Sequence, residues 1–316
     1  MSPHEATFQG PGWRARVASH TEEVQAGALW HPCGCNSETA DLREVLLVWP
    51  GEELCFHDPP QEWLMLARPN LARLREQTSR VVEYFRSHGV AVQIYRPSRL
   101  PPPNLVFARD LFFMTPRGAV LSRMASAQRA GEERFAADAL AEVGIPILRT
   151  PTGRVHLEGA DVLWINEQTV MVGIGARTNT EGLRFLSSTM EEMGVRVLHI
   201  RMPPRGQHLL GLVAFVDTAV ALVSASRAPT ELVLALQREG IRLLEAQDEL
   251  VHPWAMNLVA LAPRHVVLPS GAPRIRALLE SEGIHVDELN VSEYLRAAGG
   301  VACLTAVVRR DMRQAT

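Results

Sequence analysis

EGADVLWINEQTVMVGIGARTNTEGLRFLSSTMEEMGVRVLHI, residues 158–200, decides the fold by the order of its elements. An apolar run, VLWI, meets the hairpin signal INEQ and a second apolar run, VMVGI. TEGLRFLSSTMEEMG then carries apolar residues at three- and four-residue spacings, as a helix with one buried face does, and stops at Gly194. VRVLHI is a short strand after the glycine. The unit is ββαβ.

The same order recurs on both sides. LREVLLVWPG, NLARLREQTSRVVEYFRSHG and VAVQIY form a first unit from Leu42. NLVFARDLFFMTPRGAVLSRM, EERFAADALAEVG and IPILRT form the second. HLLGLVAFVDTAVALVSAS, PTELVLALQREG and IRLLEA follow as the fourth, and MNLVALAPRHVVLPSG, APRIRALLESEG and IHVDELN as the fifth. The helices stop at Gly89, Gly144, Gly194, Gly240 and Gly283, the residue type that takes a left-handed stop most easily. GGVACLT (299–305) reads as a strand that closes the series, with Cys303 on it. Five units about 45 residues apart predict a repeat architecture of class α/β. A helical solenoid is excluded because every unit contains strands. A Rossmann sheet lacks its G-x-G-x-x-G after the first strand. Arranged radially, the units bring their strand starts to a central axis, where a site would form.

Composition agrees with an ordinary globular chain. It has 316 residues, is 47% hydrophobic and carries a formal net charge of −3, so no basic stripe speaks for nucleic acid. No apolar run is long enough for a membrane span, and MSPHEATFQGPGW lacks a signal-peptide pattern. Cys33, Cys35, Cys55 and Cys303 do not form a disulfide framework, and a reduced, cytoplasmic setting is expected. Cys33 and Cys35 near His31 lack the second pair that a zinc site needs, so no metal is expected. Residues 1–41, polar and irregular, read as an N-terminal extension or lid; residues 42–316 read as one catalytic domain.

Polar groups recur at the unit starts: Asn104 and Arg109-Asp110, His156 to Asp161, Gln207-His208, and finally Cys303. Singly, each has an ordinary structural explanation. Free cysteine is mostly buried packing, and acids and arginines pair or cap turns. Jointly, a cysteine, a histidine and a carboxylate are the parts of a thiol nucleophile, its acid–base partner and an orienting group. They stand on three different units, as a radial fold would require.

The chain resembles the pentein superfamily of guanidino-modifying enzymes, which includes dimethylarginine dimethylaminohydrolases, arginine deiminases and amidinotransferases. NLVFARDLF resembles the segment in which an asparagine or aspartate precedes the substrate aspartate by six residues, giving Asn104 and Asp110. LSRM resembles the strand with a carboxylate-binding arginine, giving Arg123. LEGADV resembles L-[DE]-G-G-D-V, giving Glu158 as the triad acid with Asp161 beside it. GIGARTN gives Arg177 as a second carboxylate-binding arginine, QHLLG gives His208, and GGVACLT gives the nucleophile Cys303. The active-site pattern is closest to the dimethylarginine hydrolases.

The resemblance implies a five-bladed αβ propeller and a cysteine hydrolase acting on the guanidino, or related ureido, group of an arginine-like small molecule. It implies a covalent intermediate, no cofactor, and room for a homodimer. An amidinotransferase is the alternative of the same fold; a non-catalytic pentein-like binding protein is the alternative of another class. The chain departs from its relatives at four places. Leu210 stands where deiminases and amidinotransferases carry an aspartate, Arg109 where dimethylarginine hydrolases carry a glutamate, Ala160 at a glycine, and Ala302 where deiminases place an arginine. One carboxylate where relatives use two implies a substrate with altered charge or bulk at its guanidino end.

Overall fold

The computed structural model describes residues 10, 12–204, 206–247 and 254–313; residues 1–9 and 11 of the extension lie outside them. Ahead of the repeats, Ser19 caps helix α1 (His20–Ala26) by accepting from the Glu22 amide, and the Glu22 side chain closes a capping box. The first blade contains β1 (Leu42–Val48), α2 (Leu71–Ser87) and β2 (Ala91–Tyr95). The second contains β3 (Phe112–Thr115), β4 (Gly118–Leu121), α3 (Glu132–Val143) and β5 (Ile147–Arg149). The third contains β6 (Val162–Asn166), β7 (Thr169–Ile174), α4 (Thr180–Glu191) and β8 (Arg196–Arg201). The fourth contains β9 (Val213–Asp217), β10 (Val220–Ser224), α5 (Thr230–Arg238) and β11 (Arg242–Ala246). The fifth contains β12 (Val259–Ala262), β13 (His265–Pro269), α6 (Pro273–Ser281) and β14 (His285–Leu289). Two short helices, α7 (Ser292–Arg296) and α8 (Val301–Leu304), lead to β15 (Ala306–Arg310).

The strands form five three-stranded sheets, and the fold is the five-bladed αβ propeller. In blades two to five a hairpin pairs antiparallel and the helix crosses over to add a third strand parallel to the second, as with β6, β7 and β8. A parallel neighbour cannot be reached by a tight turn, so the helix is the required crossover. The helices bury one stripe: α2 buries Leu74, Thr78, Val81, Val82 and Phe85 against its sheet. All five expected glycine stops are left-handed, with φ between 71° and 86°.

The first blade differs from the sequence reading. It has one N-terminal hairpin strand too few, and β15 supplies it by pairing antiparallel with β1. The two ends of the chain thus complete one sheet. Cys303 lies not on that strand but on α8, just before it, which corrects the expectation of a nucleophile strand. The misreading has a physical cause. Val301, Ala302, Cys303 and Leu304 are all buried, so a single helical turn shows the same unbroken apolar run as a core strand.

Part of the extension packs across blades. The Gly34 amide donates to Val308 O, the Cys35 amide to Thr115 O, and the Trp164 amide to Glu38 Oε1 at 3.0 Å. Buried Arg310 donates to Ala40 O and, in the fifth blade, to Ala260 O. Cys35 is buried with its thiol on Ser37 O, and burial pushes its pKa up to about 11. His31 turns to Glu44 at 2.8 Å rather than to either cysteine.

Candidate active site

Four of the predicted site residues stand on, or just before, single helical turns that lead into strands. Asp110 ends the turn Ala108–Asp110 before β3. Glu158 precedes the turn Gly159–Asp161 before β6, and His208 precedes Leu209–Gly211 before β9. Cys303 is on α8, before β15. Around the axis, α8 packs on the Asp110 turn, that turn on the Glu158 turn, and that on the His208 turn. Gly159 permits the approach: a Cβ there would lie 2.4 Å from Phe112 O and 2.6 Å from Arg109 O.

Glu158 and His208 are buried and joined, Oε2 to Nε2, at 2.7 Å. His208 Nδ1 then faces Asp110 Oδ1 at 3.9 Å, beyond hydrogen-bond range. Asp110 Oδ2 accepts from Arg129 Nη1 at 2.6 Å, while Oδ1 is buried with no hydrogen-bond partner among the described residues. A buried acceptor without a donor is costly, and Oδ1 has capacity left for an N–H. Asp161 is occupied: Oδ2 accepts from Thr178 Oγ1 at 2.7 Å and Oδ1 from the Leu209 amide at 3.0 Å. It holds the His208 turn instead of reaching outward. Arg177 lies 3.5 Å from Glu158.

Cys303, His208, Asn257, Leu210, Trp254 and Arg227 are among the residues lining one cavity of about 230 Å³. Burial and nearby Asp110 push the Cys303 thiol up to about 11, against the Gly300 backbone, Asn257 and Arg129. Burial disfavours the His208 imidazolium, but Asp110, Glu158 and Asp161 outweigh it and raise its pKa. Burial would raise Glu158 too, yet His208, Arg129 and Arg177 hold it down at about 2. At neutral pH the site therefore pairs a protonated thiol with an ionised Glu158. Asp110, Glu158 and His208 bring ligand atoms within 4.8 Å of one another. A metal ion there would face the guanidinium groups of Arg129 and Arg177, which already supply the positive charge. The donor set does not fit a metal.

The chain is close-packed just before Cys303. A Cβ on Gly299 would lie 2.2 Å from the Phe107 ring, and one on Gly300 2.6 Å from Asn257 Oδ1, so both are close-packing positions. Arg109 donates to Gly159 O and Val162 O at 2.9 and 3.0 Å and braces the Glu158 turn, so its departure from the glutamate of relatives is structural. Asn104 and Arg123 also face protein backbone: Asn104 Nδ2 donates to Trp63 O and Arg123 Nη1 to Val155 O.

The arginine deiminase family model matches residues 90–232, which include every candidate from Asn104 to His208. An uncharacterised protein of Aeropyrum pernix is 31% identical over 258 residues, 79% of this chain and 89% of the relative. The chain belongs to the pentein superfamily of guanidino-modifying enzymes. This pentein is also 25% identical over 247 residues to the N(G),N(G)-dimethylarginine dimethylaminohydrolase of Pseudomonas aeruginosa, covering 76% of this chain and 90% of that one. A structure of the P. aeruginosa enzyme with citrulline superposes with a TM-score of 0.71 at 21% identity, over 84% of this chain and 99% of that one. SxtG, an amidinotransferase from Microseira wollei, superposes with a TM-score of 0.70 at 16% identity, over 90% and 99%. At such identities the two structures speak for the fold.

Sequence reading missed two residues of this pentein's site. Arg129 lies in the loop SAQRAGEE, which has no pattern to single it out. Asn257 had a signal, since MNLVAL opens the fifth unit as NLVF, with Asn104, opens the second. Its Oδ1 accepts from the Ala302 amide at 2.7 Å, and its Nδ2 lies 3.0 Å from Cys303 Sγ. Asn257→Ala is expected to lower kcat by roughly 10- to 100-fold, the scale for one preorganised donor or somewhat less. Steady-state kinetics checks this, and an unchanged kcat removes the role.

Proposed function

We propose that this pentein hydrolyses a C–N bond in the guanidino or ureido group of an arginine-like small molecule, with Cys303 as nucleophile. The observation that carries the reading is Asp110 Oδ1, buried without a hydrogen-bond donor among the described residues and 3.9 Å from Nδ1 of His208, which lines the Cys303 cavity. Asp110 receives the substrate N–H groups as an ionic acceptor. The bound cation offsets Asp110 and lowers the thiol pKa, so that the thiol proton is given up to solvent as substrate binds and the thiolate is the nucleophile. Cys303 Sγ attacks the guanidino carbon and His208 gives a proton to the departing amine. His208 then takes a proton from water as the C–S bond is broken, releasing the ureido product. Glu158 holds the imidazole through its 2.7 Å bond and stabilises its charge. Asp161 positions the His208 turn. Arg123 and Arg177 receive an α-carboxylate. Residues 42–316 form the catalytic domain, with 1–41 as its extension.

Leu210 and Leu212 line the cavity wall together with Trp254 and Met256. This apolar wall favours an N-substituted guanidinium over a bare one. The test is a panel of N-substituted arginines, ureido compounds and small guanidino metabolites, read by mass spectrometry. Turnover of unsubstituted arginine alone would overturn the assignment of substrate. Amine-acceptor dependence with ping-pong kinetics would turn the hydrolase into an amidinotransferase.

The thiol chemistry predicts a specific pH response. Alkylation of the free enzyme at Cys303 by neutral iodoacetamide should climb about tenfold per pH unit between 7 and 10, because the thiolate fraction does so below a pKa of about 11. A cationic amidine electrophile should react readily at pH 7. Equal rates for the two reagents at pH 7 would refute activation by substrate charge.

A further inference from the structure

A second group of titratable side chains lies away from the Cys303 cavity, where the last blade meets the first. His88 ends α2, His265 begins β13, and His285 and Asp287 lie on β14. His265 and His285 are register partners across the parallel pair, and Asp287 is two residues further on the face of His285. Three imidazoles converge on one carboxylate. His265 Nε2 is 2.8 Å and His88 Nε2 3.7 Å from Asp287 Oδ2, and His285 Nε2 is 3.4 Å from Oδ1. Ligand atoms of His88, His265 and Asp287 all lie within 4.8 Å of one another. The Tyr84 hydroxyl donates to Oδ2 at 2.8 Å.

The tautomer of His88 is informative. Its Nδ1 lies 2.8 Å from Tyr84 O, a group that only accepts, so Nδ1 carries the proton. Nε2 is then the ring atom turned to Asp287 Oδ2, the arrangement of an imidazole that ligates a metal through Nε2. Ligands about 2.0–2.2 Å from a tetrahedral zinc ion stand about 3.3–3.5 Å apart, within the range of spacings found here. The Tyr84 carbonyl on Nδ1 is the usual outer support of a zinc-binding imidazole. Imidazoles with one carboxylate favour zinc over magnesium or calcium.

We propose that His88, His265 and Asp287 bind one zinc ion that clamps the last blade to the first. The ligands come from α2 and from the last blade, up to 199 residues apart (287 − 88). No local spacing announces them.

The test uses the full chain, stripped of metal, in a Cys303→Ser background that removes the active-site thiol. Zinc alone is titrated calorimetrically, and melting is followed with and without it. One equivalent is expected, with Tm raised by roughly 3–6 °C at a hundredfold excess over Kd. In a His88→Gln, His265→Gln double variant the affinity should fall by at least about 100-fold and the rise in Tm should vanish. Magnesium should produce neither effect. The zinc K-edge absorption spectrum of the unvaried cluster gives a readout that needs no folded variant, and it should show imidazole nitrogens with one carboxylate oxygen. Absence of stoichiometric binding, binding undiminished in the double variant, or a spectrum without histidine ligation would each overturn the proposal.

Discussion

Cys303→Ala is expected to lower turnover by roughly 10⁴-fold or more, the scale on which removing a covalent nucleophile acts. The sulfur is buried at the cavity and touches Asn257 Nδ2 at 3.0 Å. Alanine removes one atom there and leaves α8 its backbone bonds, including the Ala302 amide to Asn257 Oδ1. Tm should therefore change by no more than about 2 °C. Intact-mass measurement of the unaltered enzyme, quenched during turnover, should show an adduct on Cys303 that the variant lacks. Residual turnover within tenfold of the parent would remove the thiol from the mechanism, whatever compound is used.

Arg129→Met should be the most destabilising single change at the site. Arg129 is buried, and its guanidinium lies 2.6 Å from Asp110, 2.8 Å from Glu132 and 3.8 Å from Glu158. Removing it leaves three buried carboxyls, with His208 and Arg177 as the remaining cationic neighbours of two of them. Breaking a buried ion cluster from one side costs about 3–5 kcal/mol. Urea or thermal unfolding would show the loss, a fall in Tm of roughly 5–8 °C. The deficit should depend on pH. Burial already pushes Glu132 up to about 7 despite the pull of Arg129, and its loss raises Glu132 further. An acid whose folded pKa lies above its unfolded one stabilises the fold at low pH and loses that contribution as pH rises. The variant should therefore be closer to the parent at pH 6 than at pH 8. A deficit that is equal at both pH values would show that Glu132 is not titrating in this range.

Two of the four departures from the family pattern, Leu210 and Arg109, separate once side chains are placed. Leu210 lines the cavity and bears on substrate choice, whereas Arg109 turns to the carbonyls of Gly159 and Val162 and bears on the fold. In sequence the two looked alike, since each replaces an acid of relatives. Asp161 is similar: adjacent to the Glu158 motif, it spends both oxygens on Thr178 and Leu209. Which way a side chain points depends on neighbours supplied by other blades, and spacing along one blade does not contain that information.

What was legible in the sequence was periodic or local. Hairpin signals, helical spacing and glycine stops depend on neighbouring residues, so the five units, their helices and the polar unit starts could be read directly. Asp110, Glu158 and His208 were among those starts, and they meet around the axis. What only the tertiary structure decided was non-local. β15 completes the first blade by pairing with β1, and Cys303 stands on the helical turn that delivers the chain to it. Arg129 gathers three carboxylates, Asn257 reaches the sulfur across blades, and His88 meets the last blade from the first. These contacts join residues far apart in the chain, and burial hides their signal, because a fully enclosed helical turn and a fully enclosed strand both appear as an uninterrupted apolar run.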